Sequence, residues 1–444
     1  MNHRSLSSLT VLLLGTLASS AHATNGYFSD STGAKNRGMG GAGTALAQEA
    51  GSVVLNPAAA VNMGPRMDVG LTLFSPSPRG FSISGNDCTA LPMTPPGCSL
   101  DTSTESTMDY FLIPSFGQTF RIDDRSSWAI TVTARGGINT DYEVNPYASF
   151  GATGSLRIDL KQVELGATYA RKVSDKVSLG ATVALVYQQF QAAGLGVFGN
   201  FGLSTDPANL SNNGTSRSTG IGLTLGATFD LSKDVTLGVA YAPEIDMSEF
   251  DEYSGLFADN GDFDIPSNYA IGLAWQVDDE LLLSFDYRVI NYTDVPSVSR
   301  DPAALTTTCL MAPTNMGPGG NSDPTCLGGA QGAGFGWDDI SIIKLGVAWN
   351  QGDTVYRAGW NHGENPISSS GTEATLNIIA PGVIEDHLTL GMTFSLDTNT
   401  ELTIDYVHAF ENSVTGDVPA AFGGGSTTIQ MEQNLLEVQF GKRF

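Results

Sequence analysis

Val177-Ser178-Leu179-Gly180-Ala181-Thr182-Val183-Ala184-Leu185-Val186-Tyr187-Gln188 decides the fold. Val177, Leu179, Ala181, Val183, Leu185 and Tyr187 alternate with Ser178, Gly180, Thr182, Ala184, Val186 and Gln188. A period of two places the sets on opposite faces of a strand, whereas a helix would mix them. The pattern recurs outward along the chain. Val235, Leu237, Val239 and Tyr241 form one row, Leu281, Leu283, Phe285 and Tyr287 a second, and Leu388, Leu390, Met392, Phe394 and Leu396 a third.

Short and long breaks alternate between these runs. The short ones are Ile122–Ser126, Lys172–Asp175, Ser232–Asp234, Val277–Glu280, Gln351–Asp353 and Asp397–Thr400. The long ones lie near 83–104, 141–156, 192–218, 243–265, 292–337, 363–385 and 411–432. Six short turns and seven long loops imply fourteen antiparallel strands with both ends on one side. Tight turns on one edge and long loops on the other are the mark of an outer-membrane β-barrel. Trp128, Tyr169, Tyr187, Trp275, Tyr287, Trp349 and Trp360 near strand ends are candidates for aromatic girdles. The soluble rivals, a β-sandwich or solenoid, need a core signal that is missing.

Composition agrees. Mean hydropathy is −0.02, too low for a bundle of membrane helices, yet a lipid face needs apolar residues only at alternate positions. The net charge of −25 argues against nucleic-acid binding, which needs a basic face. Residues 1–23 read as a secretory leader: Arg4, the apolar run Leu9–Leu17, then the small-x-small site Ala21-His22-Ala23. Export permits disulfides. Cys88, Cys98, Cys309 and Cys326 allow three connectivities, and loop closure favours 88–98 and 309–326.

Residues 24–65 do not alternate and are rich in Gly and Ala, the right size for a plug ahead of a barrel over 66–444. Ala42–Ala50 reads as a short helix, and Asn56-Pro57-Ala58 as a turn. Gly38-Met39-Gly40-Gly41-Ala42-Gly43 matches G-x-G-x-x-G, but no βαβ unit surrounds it, so close packing is the better reading.

The Gly-rich segment with Arg37 to Gly43, the Asn56-Pro57-Ala58 turn, fourteen strands and the terminal Phe444 together resemble the FadL family of outer-membrane transporters, over the whole mature chain. The resemblance implies an N-terminal hatch inside the lumen. It also implies a kinked third strand that opens a lateral gap, with the Asn-Pro-Ala turn against the kink. Its consequence is passive uptake of hydrophobic compounds, long-chain fatty acids first, aromatic or aliphatic hydrocarbons second. The paired glycines Gly136 and Gly137, where the alternation of the third strand falters, are the expected kink. By the same resemblance, Leu195, Val197, Phe198, Phe201 and Leu203 in the third long loop, with Leu256 and Phe257 in the fourth, form a hydrophobic capture groove. Packing of loop on loop is the plainer alternative.

Alternation turns Lys344 and Arg357 into the lumen, since charge on the lipid face is unfavourable. There they either hold a fatty-acid carboxylate or pair with Asp286, Glu164, Asp405 or Glu437. Glu244–Asp264 holds eight acidic side chains and no Lys or Arg. It reads as a solvated outer surface or, less simply, a Ca²⁺ or Mg²⁺ site. An outer-membrane lipase is the enzymatic rival, but His408 has no G-x-S-x-G beside it. An adhesive or phage-binding barrel is the third class. The expectation is a monomeric barrel with no catalytic residues, metal or cofactor. Its expected partners are outer-membrane lipid and lipopolysaccharide, a hydrophobic small molecule, and the barrel assembly machinery that reads the terminal Phe.

Overall fold

The computed structural model describes residues 25–91 and 96–444. The leader and its cleavage site lie outside the described residues. The strands are β1 (Arg66–Ser75), β2 (Arg79–Ser84), β3 (Thr102–Glu105), β4 (Phe111–Asp123), β5 (Ser126–Tyr142), β6 (Leu156–Lys172), β7 (Val177–Ala193) and β8 (Ser216–Asp230). They continue with β9 (Val235–Ala242), β10 (Asn268–Gln276), β11 (Leu281–Ile290), β12 (Ile340–Gln351), β13 (Thr354–Gly363), β14 (Asp386–Ser395), β15 (Thr400–Asp417) and β16 (Ser426–Arg443).

Fourteen of these, β1 and β4 to β16, close into an antiparallel barrel. Closure sets Arg66 of β1 opposite Arg443 of β16. The remaining two, β2 and β3, form a hairpin within the first long loop and extend the sheet along the upper end of β16. Both ends of the barrel meet at the short-turn rim, where the Phe444 amide donates to the Pro65 carbonyl at 3.1 Å.

The alternation maps onto the wall. On β7, Leu179, Val183 and Leu185 are exposed on the lipid face, while Ser178, Thr182 and Val186 are buried inside. Trp128, Tyr169, Trp275, Trp349 and Trp360 are exposed on the outer surface near strand ends, as girdle residues should be. Two expectations need correction. The break at 411–432 is mostly strand, since β15 and β16 run on to Asp417 and from Ser426. Ala42–Ala50 is not helical; the short helical turns of this segment are Ala34–Arg37, Ser52–Leu55 and Pro57–Val61.

Residues 25–65 fill the lumen. The glycine run packs without side chains: a Cβ on Gly40, at φ +69°, would come within 2.6 Å of the Trp360 carbonyl oxygen, and one on Gly359 within 2.7 Å of the Gly40 Cα. This close approach, rather than phosphate binding, accounts for the motif. Asn56 closes its own turn, accepting from the Ala58 amide (3.0 Å), and ties it to the wall by donating to the Ala227 carbonyl (3.0 Å).

Candidate functional site

Three layers stack along the barrel axis. The uppermost is a small apolar pocket of about 60 Å³ between the long loops. Leu195, Phe198, Leu256 and Phe257 line it. Val197 and Leu203 are buried instead in the surrounding loop core, and Phe201 packs edge-on against Phe150 at 5.8 Å. Half of the lining comes from loops that sequence reasoning did not single out: Leu305, Leu327 and Phe335 from the loop between β11 and β12, and Leu376 and Ile379 from that between β13 and β14. Disulfides join Cys88 to Cys98 and Cys309 to Cys326. The second closes the segment next to Leu305 and Leu327, which is zipped to the third long loop. The Leu327 amide donates to the Leu203 carbonyl (3.0 Å), and the Thr205 amide to that of Leu327 (2.9 Å).

Below the pocket stands a septum of aromatic rings. Phe263 lies 4.8 Å from Phe257, and Trp337 lies 6.2 Å from Phe335, so both touch residues that line the pocket. Tyr27 packs on Phe263 and Trp337, each at 5.9 Å, and on Tyr292 at 5.3 Å. The Tyr292 hydroxyl fixes this end of the hatch, donating to the Asn25 carbonyl (2.6 Å) and accepting from the Tyr27 amide (3.2 Å). These residues escaped the sequence reading because Tyr27-Phe28 opens a segment otherwise made of small residues.

The third layer is a lumen cavity of about 80 Å³. Phe28 roofs it, and Arg135, Arg288 and Lys344 line it with Glu164 and Asp286. The guanidinium groups of Arg135 and Arg288 lie 5.7 and 5.5 Å from the Phe28 ring centroid, within cation–π range. Arg135 pairs with Glu164. Arg288 donates to the Asn268 side-chain oxygen at 2.9 Å and makes no ion pair among the described residues. Lys344 bonds the backbone carbonyl of Asp30. Arg357 does face inward but lies apart from this cavity, bonding Thr393 (2.7 Å) and Gln48 (3.4 Å). The structure therefore does not bring Lys344 and Arg357 together. The inward carboxylates serve the hatch: Asp286 accepts from the Gly43 and Thr44 amides at 2.9 Å each, and Glu437 pairs with Arg37.

The β4–β5 ladder is interrupted beside this cavity. β5 carries a bulge between Ala134 and Gly136, and its ladder with β4 ends at Phe116 opposite Val132. The freed edge is occupied by the hatch: Phe28 bridges Gly136, the Ser29 amide donates to the Arg135 carbonyl (3.1 Å) and that of Gly137 to the Tyr27 carbonyl (3.0 Å). The segment against the kink is thus Tyr27–Ser29. The Asn56-Pro57-Ala58 turn sits lower, on Gly180 and Gly226 of β7 and β8, where a Cβ on Gly226 would come within 2.7 Å of Pro57 Cδ. Its compact ring and turn need the bare patch those two glycines provide.

Among the described residues no three His, Cys, Asp or Glu side chains converge as a metal site. His408 neighbours Asn434 (3.0 Å) and Glu432 (3.9 Å) on the outer wall rather than a serine hydroxyl.

A family model described as outer membrane protein transport protein (OMPP1/FadL/TodX) matches residues 15–440. No curated protein matches the chain in sequence. Among solved structures, the Pseudomonas putida toluene transporter TodX is 16% identical, with 94% of this chain and 99% of that one covered at a TM-score of 0.64. A Pseudomonas aeruginosa FadL homologue is 15% identical, with 94% and 100% covered at 0.66. The Ralstonia pickettii toluene transporter TbuX is 16% identical, with 94% and 99% covered at 0.61. At such identity these likenesses establish the fold.

Proposed function

The chain belongs to the outer membrane protein transport family (OMPP1/FadL/TodX), and from that premise we propose that it admits long-chain fatty acids, which leave sideways into the membrane. The family consists of outer-membrane transport channels for hydrophobic compounds, not enzymes. The observation that carries the finer reading is the lumen cavity, where an apolar roof, Phe28, meets three basic side chains, Arg135, Arg288 and Lys344. A hydrocarbon needs no cation, whereas a carboxylate entering a closed lumen needs charge-assisted donors. Arg288, which makes no ion pair among the described residues, is the leading candidate and Lys344 the second. Arg357 has no part in this arrangement.

Sideways exit is supported by the interrupted β4–β5 ladder and by energetics. An acyl chain released into aqueous periplasm would forgo about 0.8 kcal/mol per CH₂. The outer pocket serves for capture, with Leu195, Phe198, Leu256 and Phe257 as its first contacts.

Uptake of labelled oleate and of toluene, with Arg288→Ala and Lys344→Ala, tests the reading. Oleate uptake should fall while toluene uptake holds. Unchanged oleate uptake in the double variant would reject the head-group role. Protein-dependent uptake of toluene alone would favour the hydrocarbon reading, to which the likeness to two toluene transporters lends weight.

A further inference from the structure

A second break in the wall lies four strands further round, between β8 and β9. In an antiparallel ladder a residue's N–H and C=O point to one neighbour, and successive residues alternate sides. The Asp230 amide donates to the Lys176 carbonyl at the β7–β8 turn (2.8 Å), so even-numbered residues of β8 face β7 and odd-numbered ones face β9. The last rung of β8–β9 is Leu225 opposite Tyr241, although β8 continues to Ser216, paired with β7 throughout. The next rung would set Leu223 against Pro243. Proline has no N–H to give, and the ladder stops one rung short of it.

The same device stands at the first break. The Lys172 amide donates to the Arg125 carbonyl (2.8 Å), so even-numbered residues of β5 face β4. The rung after Phe116–Val132 would be Pro114 against Ala134. Ala134 and Pro243 each lie eight residues beyond the start of β5 and β9 (Ser126 and Val235), and so at similar height above the short turns. The lumen cavity reaches both places, being lined by Thr133, Ala134 and Arg135 at one and by Thr224, Tyr241 and Ala242 at the other.

The second break is bounded and plugged. Pairing resumes at the antiparallel bridge of Gly220 with Met247, where the Ser248 amide donates to the Thr219 carbonyl (3.0 Å), leaving roughly 17 Å of the β8 edge, at about 3.3 Å per residue, without β9. Ile245 lies across it from inside. A Cβ on Gly222 would come within 2.7 Å of Ile245 Cδ1, and one on Gly220 within 3.0 Å of its Cγ2. Ile245 is 2% exposed, whereas Ile221 on the lipid side of the break is 75% exposed.

We propose that the β8–β9 break is a second lateral window between lumen and membrane, closed by Ile245, that passes hydrophobic small molecules. It rests on the sideways-exit reading above. The test uses full-length protein in cells, with uptake of toluene, which needs no head-group contact, as the readout and heat-modifiable gel mobility as the check of folding. Deleting Arg135 together with Pro114→Val removes the bulge and restores the amide at the first break. Part of the uptake should persist. Adding Pro243→Val, which restores the amide at the second break, should abolish the remainder, and adding Ile245→Gly instead should raise it. No uptake once the first break is closed, with none regained by Ile245→Gly, would overturn the second window alone. Full uptake with both breaks closed would instead overturn sideways exit itself. Independently, Ile245→Cys should react with a lipid-soluble maleimide supplied from the membrane; absence of labelling would also reject the window.

Discussion

The upper and lower halves of the lumen are filled by opposite means. Above, one continuous apolar cluster joins loop residues such as Phe198, Phe257 and Leu305 to Tyr27 and Phe28 at the head of the hatch. Below, the hatch is held by buried charge. Arg37 reaches Asp30 and Glu437, Lys35 reaches Glu401, and Arg66 of β1 donates to the Gln48 carbonyl at 2.7 Å. Burial of apolar area is non-directional and tolerates a variable guest. A buried ion pair depends on geometry and is weakened sharply when one member is removed. The outer apolar region can therefore adapt to a guest while the lower half stays in register.

Breaking the lower half should give the largest effect. Arg37→Ala leaves Asp30 and Glu437, with Asp405 opposite Glu437 on the neighbouring strand, without the guanidinium between them. Removing one member of a buried pair typically destabilises by about 3–5 kcal/mol. The hatch should loosen, read as faster hydrogen exchange over 30–50 and greater sensitivity to small hydrophilic antibiotics. An Arg37→Ala barrel that remains equally tight would mean that the glycine packing, not the ion pairs, seals the lumen.

The upper half should respond next to loss of its staple. Cys309→Ser with Cys326→Ser reopens a loop of 17 residues' separation. A loop of that size is worth about 3 kcal/mol in the chain-entropy account. The expected outcome is protease nicking between 309 and 326 and weaker capture of fatty acid, with the hatch unaffected. Truncation inside the pocket comes third. Leu256→Ala and Phe198→Ala remove lining atoms from a site that is already open, so the change should lie at or below the roughly 2–5 kcal/mol of core truncations. Uptake at low substrate concentration should fall while uptake at saturation is spared. Equal losses at both would assign the residues to passage rather than capture.

How much of this was legible in sequence follows from the same physics. The lipid face writes itself as alternation, and all six short turns lie between the strands they were expected to separate. The tops of β15 and β16 read as loop because Glu411-Asn412-Ser413 and their neighbours are polar on both faces. Above the membrane, neither face of a hairpin needs to be apolar. The bulge of β5 shows in the sequence as paired glycines, and Pro114 is a stronger local signal, standing within an alternating run where proline belongs at an unpaired edge. The seat of the Asn56-Pro57-Ala58 turn was not legible, since it depends on Gly180 and Gly226, two strands brought together only by closure of the barrel. The basic trio was not legible for the same reason, Arg135 lying on β5, Arg288 on β11 and Lys344 on β12.

The smallest expected effect lies at the outer rim and concerns the acidic segment. Burial, and the carboxylate of Asp264 next to it, push Asp262 up to about 7. Asp264 is itself engaged by the Met247 amide at 2.7 Å, and the Asp262 carbonyl receives the Ser297 hydroxyl at 2.5 Å. A carboxyl group raised in the fold binds more protons than its unfolded counterpart between about pH 4 and 7. The stability it lends the loop is full below the unfolded pKa and is lost as pH rises through the folded one. Hydrogen exchange over 243–267, corrected for intrinsic rates, should show more protection at about pH 5 than at about pH 8. Asp262→Asn should flatten that difference and leave uptake unchanged. Protection that does not change with pH would mean that both carboxylates ionise as freely in the fold as out of it, and that the segment is the plain solvated surface its composition suggests.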